Sequence, residues 1–189
     1  MGTRQLRSLY QVKISLVDSK PPIWRRLLVH GNIRLNIFHT AIQYSMGWQN
    51  YHLHQFEKDR IIYGLPDDGG NFGFDVKDES KFRLSDVLEK EKDTLTYDYD
   101  FGDNWRHKIT LEKILPFEAS SELVKCIKGK RSCPPEDCGG IWGYDSLLEV
   151  ISDPSHSEHK TMLDWLGGEF DPEYFSISET NNMLSEHIK

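Results

Sequence analysis

The 189 residues, 38% apolar and 12% aromatic, suffice for a buried core built partly from rings. The formal charge of −7 disfavours broad, sequence-blind attraction to nucleic acid. There is no apolar run long enough for a transmembrane helix, and Met1 to Leu9 lacks the apolar stretch of a secretory signal, so a soluble cytoplasmic protein without membrane association, a single domain over 1–189, is expected.

Along the chain, Tyr10, Val12, Ile14 and Leu16 alternate with polar residues, which predicts a half-buried strand over 8–17. Pro21-Pro22 interrupts it, and Ile23 to Val29 resumes as a second extended run. Leu35, Phe38, Ile42 and Met46 follow helical spacing up to Gly47. His52 to Phe56 reads as a strand with His52, His54 and Phe56 on one face, and Ile61 to Gly64 as its return. Residues 65–82 are polar and glycine-rich and read as a loop, with a short helix around Ser85 to Lys90. The clearest hairpin follows: Leu95, Tyr97, Tyr99 and Phe101 alternate before Gly102-Asp103-Asn104, and Trp105, His107, Ile109 and Leu111 alternate after it. The last third reads as helices: Tyr144 to Ser152, a second opened by Ser155 and Glu158 and closed by Gly167-Gly168, and a third opened by Ser176 and Glu179. Strands first and helices last predict an α+β fold, with a mostly antiparallel sheet, one early helix and a helical C-terminal third.

Between hairpin and helices, Cys133-Pro-Pro-Glu-Asp-Cys-Gly-Gly-Ile-Trp-Gly-Tyr-Asp145 packs thiols, carboxylates, aromatics and glycines together. Its prolines and glycines predict a shaped loop that either binds something or holds the fold together. All three cysteines, Cys126, Cys133 and Cys138, lie close in sequence, and their odd number argues against a disulfide framework. As metal ligands, zinc being the natural candidate, they need a fourth donor such as His54 or His107; as free thiols they pack like small apolar groups.

A second candidate joins His52, His54, Asp100, Asp103 and His107. If their strands are neighbours, these groups could hold a divalent metal for hydrolysis or act as general bases. Against this, His107 falls in the apolar row of its strand and Asp103 suits a turn. Asp100-Phe101-Gly102 matches the kinase magnesium triplet, but the glycine-rich loop, strand lysine and catalytic loop that belong with it are missing. Gly139 to Gly143 lacks dinucleotide-loop spacing.

The third candidate is an interaction surface. Residues 1–56 hold seven Lys or Arg against one acid, Asp18. Either the two halves neutralise each other, or the N-terminal part forms a basic face for a nucleic-acid or protein partner. Trp24, Arg25, Arg26, Trp48, Trp105 and Trp142 are the candidate binding residues, with Lys125, Lys128, Lys130 and Arg131 as a second basic cluster. The competing expectation makes Trp24 and Trp48 core anchors with arginine stems lying over them.

Five segments carry a family resemblance: Pro21-Pro22-Ile23-Trp24-Arg25-Arg26; Met46-Gly47-Trp48 with His52 to Phe56; Tyr99 to His107; Cys133 to Tyr144; and Trp165-Leu166-Gly167-Gly168 with Phe170-Asp171-Pro172. In this order they resemble the plasmid pRiA4b ORF-3-like family, some members of which are labelled transposon passenger proteins of the IS1096 type. The resemblance implies an α+β domain and a binding or accessory module associated with plasmids or transposable elements. It brings no reaction with it; a metal-dependent hydrolase and purely structural motifs stand as the alternatives.

Overall fold

The computed structural model describes residues 8–65, 76–117 and 121–188. One eight-stranded sheet organises them, in the order β5-β4-β3-β6-β7-β1-β2-β8. The strands are β1 (Ser8–Leu16), β2 (Trp24–His30), β3 (His54–Lys58), β4 (Ile61–Gly64), β5 (Val76–Asp78), β6 (Thr94–Tyr99), β7 (Trp105–Pro116) and β8 (Val124–Lys130). Every pairing is antiparallel except β4–β5. Five α-helices accompany the sheet: α1 (Leu35–Met46), α2 (Leu84–Val87), α3 (Gly140–Ser152), α4 (His159–Leu166) and α5 (Ile177–His187). The α+β expectation is met. Among the described residues no helix is long and apolar enough to cross a membrane.

The period-two pattern places Tyr10, Val12 and Ile14 of β1, Leu27 and Val29 of β2, Leu95 and Tyr97 of β6, and Ile109 and Leu111 of β7 on one buried face. Phe38, Ala41 and Ile42 of α1, Tyr144 and Leu147 of α3, and Leu184 of α5 join the same core. The helices therefore gather on this face, and polar side chains occupy the other. That asymmetry is usual for an antiparallel sheet.

Several boundaries move. His52 lies before β3 rather than in it, so only His54 and Phe56 share the strand's buried face. Most of the expected loop 65–82 falls outside the described residues, but 76–78 form β5 beside β4 and 79–81 a 3-10 turn. β8 is an added strand on the far edge; Asn181 of α5 bonds both the N–H and the C=O of Cys126 and so closes part of that edge. Phe101 leaves the alternation and is exposed at the turn. Ser155 hydrogen-bonds Asp153 instead of opening α4, which starts at His159, whereas Ser176 does cap α5 by accepting from the Glu179 N–H.

Candidate functional site

The proline–cysteine loop lies against the β6–β7 turn. The Gly139 N–H donates to Asp103 Oδ2 at 3.1 Å, and the indole N–H of Trp48 donates to the Pro134 carbonyl at 3.0 Å. Glu136 accepts from the Tyr99 hydroxyl and from the Gln49 N–H. Beneath the loop, the Trp48 ring packs on Tyr99, Trp105 and His107 with centroids 5.1–5.9 Å apart. Part of the segment expected to be loop is helix, because α3 starts at Gly140. Two of its glycines answer to close approach. A Cβ on Gly140 would sit 2.5 Å from the Asp103 carbonyl oxygen, and one on Gly143 would sit 1.9 Å from that of Cys138. No side chain fits there.

The histidines separate into three settings. His54 is buried, with Nε2 2.9 Å from Glu79. Its ring stacks on His39 at 3.4 Å. His39 in turn bonds the Tyr97 hydroxyl and Asn50 Oδ1, and burial, with the neighbouring His54 ring, pulls its pKa down to about 3. His107 is enclosed, donates from Nδ1 to the Trp105 carbonyl, and is lowered by burial to about 4. Neither His54 nor His107 stands by Asp103, whose carboxylate is engaged by the loop. His52 is the exception. Its Nε2 lies 3.1 Å from Asp137 and 3.7 Å from Asp100. Among the described residues this is the one group of three or more His, Cys, Asp or Glu whose donor atoms lie within 4.8 Å of one another.

The three thiols form no such group. Cys126 is buried on β8, while Cys133 and Cys138 are part-buried in the loop. Burial pushes all three thiol pKa values up, that of Cys138 to about 12, so none is poised as a thiolate at neutral pH.

Arg25 and Arg26 part company because adjacent strand residues face opposite ways. Arg25 is 2% exposed. Its guanidinium donates to the carbonyls of Ser45, Trp24 and Lys130 and lies 4.3 Å from the Phe175 ring, tying β2, β8 and the end of α1 together. Trp48 is buried, as the core-anchor expectation has it, whereas Trp24 is only half-buried on the other face; Trp105, a candidate binding residue, is enclosed in the core. Trp142 is 84% exposed on the first turn of α3. A groove of about 670 Å³ runs beside Trp48 and Glu136 to Trp165, Phe175 and Met183.

Trp24 and Arg26 face outward on the helix-free side of the sheet. Lys13 and Arg26 flank the Trp24 ring at 5.1 and 5.2 Å, and Arg26 forms a two-bond pair with Glu112. That pair is one place where the basic first segment and the acidic remainder neutralise each other. The register then lines up two cross-strand rows: Lys130, Trp24, Ser15, Lys108 and Thr96, and Lys128, Arg26, Lys13, Thr110 and Thr94. Neither row carries an acid across these five strands; Glu57 of β3 adjoins Thr96 at the far end. Among the described residues no carboxylate lies within ion-pair distance of Lys13, Lys108, Lys128 or Lys130. Lys108 was missed by sequence reasoning and Lys13 entered it only as one of the seven basic residues of the first segment, although alternation with buried neighbours marks both as outward. Asp137 was missed because nothing local shows which carboxylate of a loop lies beside His52.

These features define a class: a mostly antiparallel α+β protein whose proline–cysteine loop is locked onto a hairpin over one buried tryptophan. The family described as "Plasmid pRiA4b ORF-3-like protein" matches residues 8–179, and the chain belongs to it. It is 34% identical to the "Uncharacterized protein y4hQ" of Sinorhizobium fredii, over 95% of this chain and 92% of that protein. It also resembles a crystal structure titled as the protein of unknown function MM3350 from Methanosarcina mazei Go1. That likeness has a TM-score of 0.80 and 41% identity, covering 91% of this chain and 97% of the other.

Proposed function

We propose that the protein is a nucleic-acid-binding accessory module that takes a phosphate backbone on the open face of its sheet. The observation that carries this reading is the pair of acid-free rows in which, among the described residues, Lys13, Lys108, Lys128 and Lys130 have no carboxylate within ion-pair distance. Phosphates spaced along a strand are complementary to lysines spaced across a sheet. Because Lys13 and Arg26 already flank the Trp24 ring, base stacking has little room, and the face would read charge rather than sequence. An overall charge of −7 limits such binding to the weak, non-specific range, a Kd of about 10⁻⁴ to 10⁻⁶ M. An association with plasmids, suggested by the family's description, fits a module of this kind.

Fluorescence anisotropy with labelled duplex and single-stranded oligonucleotides tests it. Four lysine–phosphate contacts on a duplex give a log–log salt slope near about −3.6, so affinity should fall roughly 100-fold between 50 and 200 mM salt. Combining Lys108→Glu, Lys128→Glu and Lys130→Glu should abolish binding while leaving the fold intact, since all three side chains are exposed. Absence of binding at low salt, or unchanged affinity in the triple variant, would refute the reading and leave an acidic protein partner for this face.

A further inference from the structure

We propose that His52, Asp100 and Asp137 form a binding site for one divalent transition-metal ion, with an imidazole and two carboxylates as its protein ligands. The three residues come from separate parts of the chain. His52 precedes β3, Asp100 follows β6, and Asp137 belongs to the proline–cysteine loop. Their donor atoms nevertheless converge within 4.8 Å. Bonds of about 2.1 Å to a shared ion set two donors about 3.0 Å apart at a right angle and about 3.4 Å apart at the tetrahedral angle. The observed 3.1 Å from His52 Nε2 to Asp137 Oδ1 falls in that range, and the 3.7 Å to Asp100 Oδ2 needs a closure of a few tenths of an ångström.

The second observation is His52 Nε2 itself. It is sealed from solvent and makes no hydrogen bond, although two carboxylates stand close to it. An enclosed polar atom with carboxylates at ion-pair distance but no hydrogen bond is left unsatisfied unless the ring is charged, and an ion between it and the carboxylates satisfies all three. Asp100 is turned for the role: its other oxygen, Oδ1, accepts the Gly102 N–H at 2.9 Å, which leaves Oδ2 facing His52. Asp137 is held because the next loop residues dock through Glu136 and Gly139. One nitrogen and two oxygen donors suit Zn²⁺, Mn²⁺, Fe²⁺ or Co²⁺ better than Mg²⁺ or Ca²⁺, which favour all-oxygen shells. Asp137 is 68% exposed, so the site reaches solvent on the side of the loop. The ion would also act as a strut that fastens the loop to the hairpin. The site lies apart from the lysine face and does not rest on nucleic-acid binding.

The test is titration of the full-length, metal-stripped chain with Zn²⁺ and with Co²⁺, followed by calorimetry, visible absorption and melting temperature. One ion per chain should bind, raise the melting temperature, and give Co²⁺ bands without thiolate charge transfer. Asp137→Asn, at an exposed position that the fold tolerates, should raise the Kd at least the roughly tenfold that even an outer-shell partner commands, and His52→Ala should do the same. Replacing Cys133 and Cys138 together by Ser should leave the Kd unchanged. Undetectable binding by the wild type, equal binding by Asp137→Asn, or loss in the cysteine variant would each overturn the assignment.

Discussion

Lowering the pH from 7 to 5 should cost this fold about 4 kcal/mol, through two buried imidazoles. His39 and His107 are enclosed, and burial brings their pKa values to about 3 and about 4. The hydrogen bonds to Asn50 and to the Trp105 carbonyl oppose burial without overcoming it. In the unfolded chain each ring takes up its proton near pH 6.5. The folded values lie below the unfolded one, so the unfolded state binds protons that the native state refuses. Stability is therefore complete above about pH 6.5 and drains away as the pH falls towards the folded values. At pH 5 each ring is about 1.5 units below its unfolded pKa and still neutral in the fold, which is about 2 kcal/mol apiece at about 1.4 kcal/mol per unit. Urea unfolding followed by tryptophan fluorescence at pH 7, 6 and 5 measures the loss. His107→Gln removes one titrating ring and should halve the dependence on pH, whatever its effect on stability at pH 7. A wild type equally stable at pH 7 and 5, or a variant that keeps the full slope, would show that these rings are not the cause.

Two pairs of substitutions compare close-packed positions at the loop with open ones. Gly143→Ala must displace backbone, since its Cβ would meet the Cys138 carbonyl at 1.9 Å, and should destabilise by about 3 kcal/mol in a denaturant titration. Gly167→Ala has open space around it and only a left-handed φ of 77° to strain, so about 1 kcal/mol is expected; equal costs would mean that the loop is looser than its contacts imply. Trp48→Ala should cost about 3–5 kcal/mol and Trp142→Ala less than about 0.5 kcal/mol, because one ring is enclosed and the other stands in solvent. Comparable losses would contradict that assignment of roles.

Local pattern made β1, β2, α1, β4 and the β6–β7 hairpin legible, because each alternates or repeats with the period of its own element. β8 was hidden by its composition: Val124 to Lys130 carries three lysines and a glycine, and it becomes a strand through pairing with β2 and capping by Asn181. His52 appeared to continue the His54–Phe56 alternation, but the segment before β3 is held instead by tertiary bonds, among them Tyr51 N–H to the Tyr99 hydroxyl. The convergence of loop and hairpin was readable as a juxtaposition of motifs, and Asp100 was grouped with His52 from the sequence, yet the second carboxylate, Asp137, was not. Adjacent residues in an irregular loop have no period to say which one meets a given neighbour, and Glu136 and Asp137 take different partners.

The motifs that mark the family divide along the same physical line. Met46-Gly47-Trp48, the hairpin around Asp103 and the glycines at 140 and 143 meet one another beneath the loop, so substitution at any of them disturbs packing whatever the protein binds. Trp24-Arg25-Arg26 is split within a single motif: Arg25 knits three backbone segments inside the protein, while Trp24 and Arg26 stand on the open face. The lysines completing that face lie largely outside the motif segments, on β1, β7 and β8. The segments that carry the resemblance therefore serve mainly to close this fold, and a partner that reads surface charge would meet mostly residues outside them. Comparing Arg25→Ala with Arg26→Ala separates the two roles. The first should lower the melting temperature sharply, because three carbonyls lose their donor, and the second should leave the fold standing while it changes the salt dependence of binding. Equal effects on stability would place both arginines in the framework and remove Arg26 from the binding face.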